Sequence, residues 1–250
     1  ATKVIVFYIE GFGRNEGREF VLTAGRCCKP VVVLKSGKSP GGSRAVSSHT
    51  ASLAGDYASF SAAMSQFGVV EATSELELIS FCEALSAYTT PIVGKVGIIT
   101  VSGGHGAIAM DACALHGITV PMLPETTREE IRKGLNPSVR GIATLTNPID
   151  LTGSAIDNDF VTTAQRLFSL EDIDCVLALL LPYIPGITSD LGAKLSSVAG
   201  GQKKPLIAYV PHMDKYEMLI EGFELNGVPV AHSIEGAVLM VEALRRNRPC

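Results

Sequence analysis

The chain has 250 residues, of which 46% are hydrophobic and 18% charged, and its formal net charge is −4. A negative chain without a basic stripe lacks the electrostatic footprint of a nucleic-acid-binding protein, and no apolar run is long enough to span a bilayer. No secretory signal opens the sequence and its six cysteines form no Cys-x-x-Cys pair, so we expect reduced thiols and a cytoplasmic protein.

Strand-like apolar runs alternate along the chain with segments of helical period. The clear predicted strands are Val4–Ile9, Val31–Leu34, Val96–Val101, Cys175–Leu181 and Leu206–Val210, and the weaker ones are Ile118–Met122 and Val228–Ala231. A helix is predicted over Ala107–His116. This alternation predicts an α/β protein whose parallel sheets are covered by helices on both faces.

The pattern of elements occurs twice, and the first copy is longer in one place. Pro30 and Pro205 are 175 positions apart, whereas Gly68 and Gly227 are 159 apart, so the first copy holds 16 extra residues between these landmarks. The extra residues fall where His49 lies among glycines, serines and alanines. We interpret this segment as a loop, and an insertion of this composition indicates function rather than packing.

The second copy has a front half that the first copy lacks. Residues 94–124 read as a strand, a glycine turn, a helix and a strand, and nothing corresponds to them ahead of the first copy. The predicted domains are therefore a partial one over residues 1–90 and a complete one over residues 94–247, joined by the linker Tyr88–Val93. We expect the chain to be a C-terminal piece of a longer protein or a cleavage product. Its first strand then leaves an exposed sheet edge unless another chain covers it.

The insertion and the first strand supply one set of candidate site residues. His49 is interpreted as a nucleophile that carries a phosphoryl group. Glu10 follows the first strand, where a carboxylate can accept a hydrogen bond from one imidazole nitrogen and leave the other free to attack phosphorus; the alternative is a solvated turn residue. Arg44 and Lys38 either neutralise a phosphate or are surface charges. Ser47 and Ser48 donate hydrogen bonds or cap the helix that follows.

The segment Gly103-Gly104-His105-Gly106 supplies a second candidate site, between a strand and a helix. The unpaired first amides of a helix bind phosphate or another anion; the alternative is a tight turn that needs glycines for its backbone. His105 either contacts the phosphoryl group or is incidental. Asp150, in a polar turn that begins at Asn147, caps a helix or belongs to a site. No residue set has zinc-type spacing, so no metal site is predicted.

Three motifs together resemble one family, the NDP-forming acyl-CoA synthetases, which include ADP-forming acetyl-CoA synthetases and relatives of succinyl-CoA synthetase. They are, in chain order, Ser47-Ser48-His49-Thr50 with Leu53-Ala54-Gly55, then Gly103-Gly104-x-Gly106, then Asn147-Pro148-x-Asp150-Leu151-Thr152-Gly153. The resemblance covers nearly the whole chain. It implies two flavodoxin-like domains, of which the first lacks its N-terminal half.

The resemblance also implies an activity and roles for the candidate residues. It implies part of an enzyme that interconverts acyl-CoA, phosphate and ADP with a carboxylic acid, CoA and ATP through a phosphohistidine at His49, oriented by Glu10. The predicted phosphate-binding residues are Arg44, Ser47, Ser48, Gly103, Gly104, His105 and Gly106.

The resemblance further implies partners. CoA, ATP or ADP and Mg²⁺ are expected as substrates of the complete enzyme, none bound tightly here. They bind mainly to a CoA-binding domain and to ATP-grasp domains or an ATP-grasp subunit, in a homo- or hetero-oligomer. Two other functions stay open: a non-catalytic docking or regulatory module, as in relatives fused to acetyltransferases, and a flavin-binding protein. The aromatic content of 6% leaves few residues to stack on a flavin.

Overall fold

The computed structural model describes residues 2–50, 56–181 and 183–248, and the side chains of residues 48–50 lie outside the described part. The chain divides into two compact units. Unit 1 comprises the residues up to Pro91 together with those from Ala243 onward, and unit 2 comprises Ile92–Glu242. The sequence pattern assigned residues up to 247 to the second domain. The structure places residues 243–247 with unit 1 instead, where Asn247 Nδ2 donates to the Thr89 carbonyl at 2.9 Å.

Unit 1 contains a three-stranded parallel sheet of order β1-β2-β3. Its strands are β1 (Ile5–Ile9), β2 (Val31–Lys35) and β3 (Val70–Ala72), and its helices are α1 (Glu16–Ala24), α2 (Pro40–Thr50), α3 (Tyr57–Gln66) and α4 (Glu75–Ala87). The central strand β2 is buried, whereas β1 exposes Val6, Phe7 and Tyr8 by 46%, 39% and 62%. A parallel sheet is normally covered on both faces; β1 is the edge strand of this sheet, and the described residues leave these side chains uncovered.

Unit 2 contains a five-stranded parallel sheet of order β5-β4-β6-β7-β8. Its strands are β4 (Val96–Thr100), β5 (Ile149–Asp150), β6 (Cys175–Leu179), β7 (Leu206–Tyr209) and β8 (Val230–Ala231). Its helices are α5 (Gly103–Leu115), α6 (Glu125–Gly134), α7 (Pro137–Arg140), α8 (Asp157–Ser169), α9 (Leu191–Gly200), α10 (Glu217–Glu224) and α11 (Ile234–Arg246), the last of which ends among residues of unit 1. This strand order is the flavodoxin-like one, and every residue of β4 and β6 is buried.

The order of elements in unit 1 repeats in the second half of unit 2. The series β1-α1-β2-α3-β3-α4 corresponds to β6-α9-β7-α10-β8-α11, and α2 is the helix of unit 1 that has no equivalent among the described residues of that second half. In unit 2, β6 pairs with β4 on the side away from β7. Among the described residues, no strand occupies this position beside β1. Unit 1 therefore corresponds to half of a flavodoxin-like domain.

The strand predicted over Ile118–Met122 is wrong. Only Thr119 contacts the sheet there, through an isolated bridge to Lys95. The position beside β4 is divided between Thr119 at one end and the two residues of β5 at the other. The remaining predicted strands form, with ends that differ by at most two residues.

The Asn147 side chain fills the gap in this divided edge. Its Oδ1 accepts a hydrogen bond from the Ile98 amide at 2.9 Å, and its Nδ2 donates to the carbonyls of Val96 and Pro121 at 3.0 and 2.9 Å. One buried side chain thus supplies hydrogen bonds that a neighbouring strand's backbone would otherwise make along β4. Within the described residues, no helix has the length and apolar character needed to cross a membrane.

We predict that Asn147→Ala destabilises unit 2 by about 2–4 kcal/mol, because it leaves the buried amide of Ile98 and the carbonyl of Val96 without partners. Urea unfolding measures this change. The matched control is Asn226→Ala, which removes one exposed hydrogen bond to the Gly222 carbonyl and should cost less than about 0.5 kcal/mol. Equal losses for the two variants would contradict the role given to Asn147.

Candidate functional site

His49 lies in a helix, not in the loop predicted from composition. Helix α2 covers Pro40–Thr50, and Ser39 begins it by accepting the Gly42 amide on its Oγ at 3.1 Å. Proline fits the first helical position because its φ is already helical and its missing N–H is not needed there. The side chains of Ser48 and His49, and residues 51–55, lie outside the described part. The role of His49 therefore stays a prediction.

Among the side chains of α2 that the structure describes, one is buried. Val46 is 8% exposed, and it packs against Gly37, where an added Cβ would lie 3.2 Å from Val46 Cγ2. Two residues of α2 that were predicted to bind phosphate have described side chains, and both are exposed: Arg44 and Ser47. The Ser47 hydroxyl donates to the Ser43 carbonyl at 2.9 Å. A helix with so little apolar surface resembles a loop in its composition, which explains the error.

Glu10 is half-buried at the carboxyl end of β1, as predicted, and it has a neighbour that the sequence analysis missed. Lys35, the last residue of β2, is 4% exposed. Its Nζ donates to the Glu10 carbonyl at 2.6 Å and also to the Ser36 carbonyl. Burial lowers the pKa of the Lys35 ammonium, and the charge of Glu10 opposes this shift. The only sequence signal was a lysine at the end of an otherwise apolar strand.

A cavity of about 290 Å³ opens beside Lys35. Its lining includes Phe12, Phe60 and Asp56, and the Phe60 ring centroid lies 6.0 Å from Lys35 Nζ. Asp56 begins α3, accepting the Ser59 amide at 2.8 Å. Lys35 precedes the segment that carries His49 and Asp56 follows it, so both ends of that segment border one cavity.

Lys38 lies in the connection between β2 and α2, and its side chain reaches the end of β3. Its Nζ donates to the carbonyls of Thr73 and Ala72 at 3.2 and 3.4 Å and lies 5.5 Å from the Tyr57 ring centroid. Burial raises the pKa of Tyr57 to about 12, with a further contribution from its hydrogen bond to Glu71. In this arrangement the Lys38 ammonium holds the end of β3.

The predicted glycine turn of unit 2 is the first turn of α5, which begins at Gly103 and not at Ala107. Ser102 accepts the His105 amide on its Oγ at 3.4 Å. Gly103 and Gly104 supply the first two amides of the helix, which have no partner within it, and both residues are exposed. Gly106 is buried where an added Cβ would lie 3.3 Å from Pro148 Cβ. The glycines thus combine two exposed amides with one close packing contact.

Two further side chains border this turn. The ring of His105 lies 5.8 Å from that of Tyr209 at the end of β7, and its Nδ1 is buried without a partner among the described residues. Asp150, at the end of β5, has its Oδ2 within 3.4 Å of where a Cβ on Gly103 would lie, and its Oδ1 accepts the Thr152 amide at 2.9 Å. Asp150, whose role was open from sequence, thus lies beside this turn and accepts an amide of the segment that follows β5.

The site residues thus fall into two sets, Glu10, Lys35 and α2 in unit 1 and the Gly103–Gly106 turn in unit 2. Among the described residues, no group of three histidine, cysteine, aspartate or glutamate side chains could hold a metal ion.

Comparisons with known proteins agree on one family. Residues 1–85 match the model of the succinyl-CoA ligase like flavodoxin domain. The chain is 34% identical over 252 residues to the acetate–CoA ligase (ADP-forming) II subunit alpha of Pyrococcus furiosus, covering 97% of this chain and 53% of that protein. It is 28% identical over 253 residues to the 4-hydroxybutyrate–CoA ligase (ADP-forming) of Nitrosopumilus maritimus, covering 98% and 35%.

A solved structure has the same fold. The dinucleotide forming acetyl-coenzyme A synthetase 1 of Ca. Korarchaeum cryptofilum, in complex with phosphate and ADP, superposes with a TM-score of 0.85 at 28% identity, over 98% of this chain and 53% of that one. The chain therefore spans about half the length of the Pyrococcus and Korarchaeum proteins.

We predict that the Tyr57 hydroxyl ionises near pH 12 and that Glu71→Gln moves its pKa towards 10, because the variant removes the carboxylate charge that opposes a phenolate. The hydrogen bond between Tyr57 and Glu71 stabilises the folded state fully below pH 10, and this stabilisation is lost as the pH rises through the pKa of Tyr57 in the folded state. Ultraviolet difference titration against Tyr57→Phe isolates this group. An unchanged titration in Glu71→Gln would contradict the assigned cause.

Proposed function

Because the chain belongs to the NDP-forming acyl-CoA synthetase family, in its flavodoxin-like part, we propose that it supplies a phosphohistidine, His49, to a synthetase that interconverts acyl-CoA, phosphate and ADP with a carboxylic acid, CoA and ATP. One observation carries the proposal: Glu10 and the helix that carries His49 follow adjacent parallel strands, β1 and β2, at their carboxyl ends. Ligands of open α/β sheets bind at this edge.

In the proposed reaction, phosphate displaces CoA from the acyl-CoA and gives an acyl phosphate. One ring nitrogen of His49 attacks its phosphorus, so that an N–P bond forms while the bond from phosphorus to the carboxylate oxygen breaks and the acid leaves. Attack by a terminal oxygen of ADP on the same phosphorus then gives ATP and frees the histidine. Glu10 accepts a hydrogen bond from the other ring nitrogen, which keeps the lone pair on the attacking one and stabilises the cationic phosphorylated ring.

The first turn of α5 is the proposed phosphate-binding element of unit 2. The amides of Gly103 and Gly104 point out of the positive end of a 13-residue helix, and fixed dipoles of this kind stabilise phosphoryl charge without reorganising. His105 and Gly106 complete this turn. In unit 1, the exposed Arg44 and Ser47, with Ser48, are the proposed contacts of the phosphoryl group on α2.

The remaining functions belong, in this proposal, to other parts of the assembly. A CoA-binding domain and ATP-grasp domains bind CoA, ADP or ATP and Mg²⁺ as substrates. The edge of β1 is the proposed attachment point for a further strand and a helix. The added strand pairs with β1 as β4 pairs with β6. Apolar residues that include Phe7, Phe12 and Phe20 line a cavity of about 420 Å³ beside this edge, and burying them offsets the cost of ordering the added segment.

We predict that His49→Ala abolishes labelling of the chain when it is combined with its ATP-grasp partner and given an acyl phosphate or γ-labelled ATP. The wild-type label should be stable to base and lost in acid, as expected for a phosphoramidate. His116→Ala is the matched control, because His116 follows the opposite end of α5 from Gly103; it should keep the label. Undiminished labelling of His49→Ala would remove His49 from the reaction and assign the label to another residue, whereas an unlabelled wild-type chain would favour the docking module.

We predict that Gly103→Pro raises the KM for phosphate by about tenfold, the effect of losing one charge-assisted hydrogen bond. Proline suits this first helical position because Ser102 before it is extended, so the variant removes an N–H and little else. Gly103→Ala keeps the amide and should bind phosphate nearly as well as the wild type. Equal KM values for the two variants would exclude the amide as a ligand.

A further inference from the structure

Lys35 is a buried cation in unit 1 that none of the motifs includes. Lysine is rarely buried unless it is paired, yet Lys35 is 4% exposed. The acceptors of its ammonium are main-chain carbonyls, those of Glu10 and Ser36. Methionine would fill the same space without the cost of desolvating a charge. The charge therefore needs a reason beyond packing.

The two carbonyls belong to the two segments that the proposed reaction must bring together. The register pairs Ile9 with Lys35, and the Ser36 amide donates to the Ile9 carbonyl at 3.0 Å. One ammonium thus joins the residue that carries the carboxylate to the first residue of the connection that leads into α2. We propose that Lys35 is a positioning residue that fixes the Glu10 carboxylate relative to the segment that carries His49. This inference rests on the proposed phosphohistidine function.

The surroundings of Lys35 favour this role. The Phe60 ring, 6.0 Å from Nζ, lies on the cavity that both ends of the His49 segment border. Glu10 is the nearby negative charge that acts on the ammonium, and Lys38 acts in the opposite sense. Gly11 after Glu10 and Gly37 after Ser36 each allow wide backbone freedom, and Gly37 has φ of +72°. The ammonium holds the chain next to each of these two glycines.

A residue that acts in this way affects the rate of the chemical step rather than the binding of substrate. Loss of the ammonium should allow the Glu10 carboxylate to move relative to the imidazole. A displacement of about 1 Å is enough to slow an oriented reaction by about a hundredfold. The effect should pass through Glu10, since the hydrogen bonds of the Lys35 ammonium go to the main-chain carbonyls of Glu10 and Ser36.

The first experiment measures the rate of His49 phosphorylation by acyl phosphate, per folded molecule, in the full chain with its partner. Lys35→Met should lower this rate by about ten- to a hundredfold at unchanged KM. Combined with Glu10→Gln, it should cause no further loss, because both changes remove the same oriented carboxylate. The control is Lys204→Met, since Lys204 is a half-buried lysine of unit 2 whose Nζ donates to the Leu170 carbonyl; its rate should not change.

The second experiment measures amide hydrogen exchange of the full chain without substrates. Lys35→Met should speed exchange over residues 10–13 and 36–39 and leave β6 unaffected, and Lys204→Met should change neither segment. If Lys35→Met does not fold, Lys35→Gln, which keeps one shorter donor, replaces it in both experiments.

The possible results separate the claims. Unchanged exchange at residues 10–13 overturns the proposal. Faster exchange with additive effects of the Lys35 and Glu10 variants also overturns it, because Lys35 then stabilises the fold without acting through Glu10. Faster exchange with no additional loss of rate supports it. Labelling that persists in His49→Ala overturns the phosphohistidine function, while the exchange result still decides whether Lys35 holds Glu10.

Discussion

The parallel pairing of β1 with β2 is the constraint on which the unit 1 site depends. Because both strands run the same way, the residues that follow them emerge at one edge, and Glu10 meets the beginning of the segment that leads to α2. The register of the two strands fixes which residues lie side by side at this edge, since Ile9 lies opposite Lys35. A slip of one residue would turn the Lys35 side chain to the other face of the sheet and separate its ammonium from the Glu10 carbonyl.

Unit 2 reaches a similar arrangement by interrupting its sheet. The position beside β4 is not filled by one continuous strand but by Thr119 at one end and β5 at the other. The side chain of Asn147 instead satisfies the amide of Ile98, and the two residues of β5 end with Asp150 next to Gly103. A polar side chain in place of a strand thus brings a carboxylate to the amino end of α5. Buried polar groups are tolerated here because each of these hydrogen bonds is made.

Local pattern was enough to predict the α/β class, six of the strands and the position of the glycine turn, because apolar periodicity reports burial directly. It failed where a partner distant in sequence decides the structure. The burial of Lys35 depends on the Glu10 carbonyl, and the missing strand at Ile118–Met122 depends on Asn147. The helix around His49 was a different error: Ser39-Pro40 is a helix-start signal, but the weak apolar content of the segment outweighed it in the interpretation.

Helix α2 stands between a strand and a helix that both halves of the repeat share. Lengthening such a connection costs little, since the entropy of closing it rises by only about 0.6 kcal/mol for each doubling of its length. A reactive segment can therefore be inserted there while the strands, their register and their core remain as they were. The described residues in the second half of unit 2 show the series of strands and helices without the added helix, and unit 1 carries α2 on the same series.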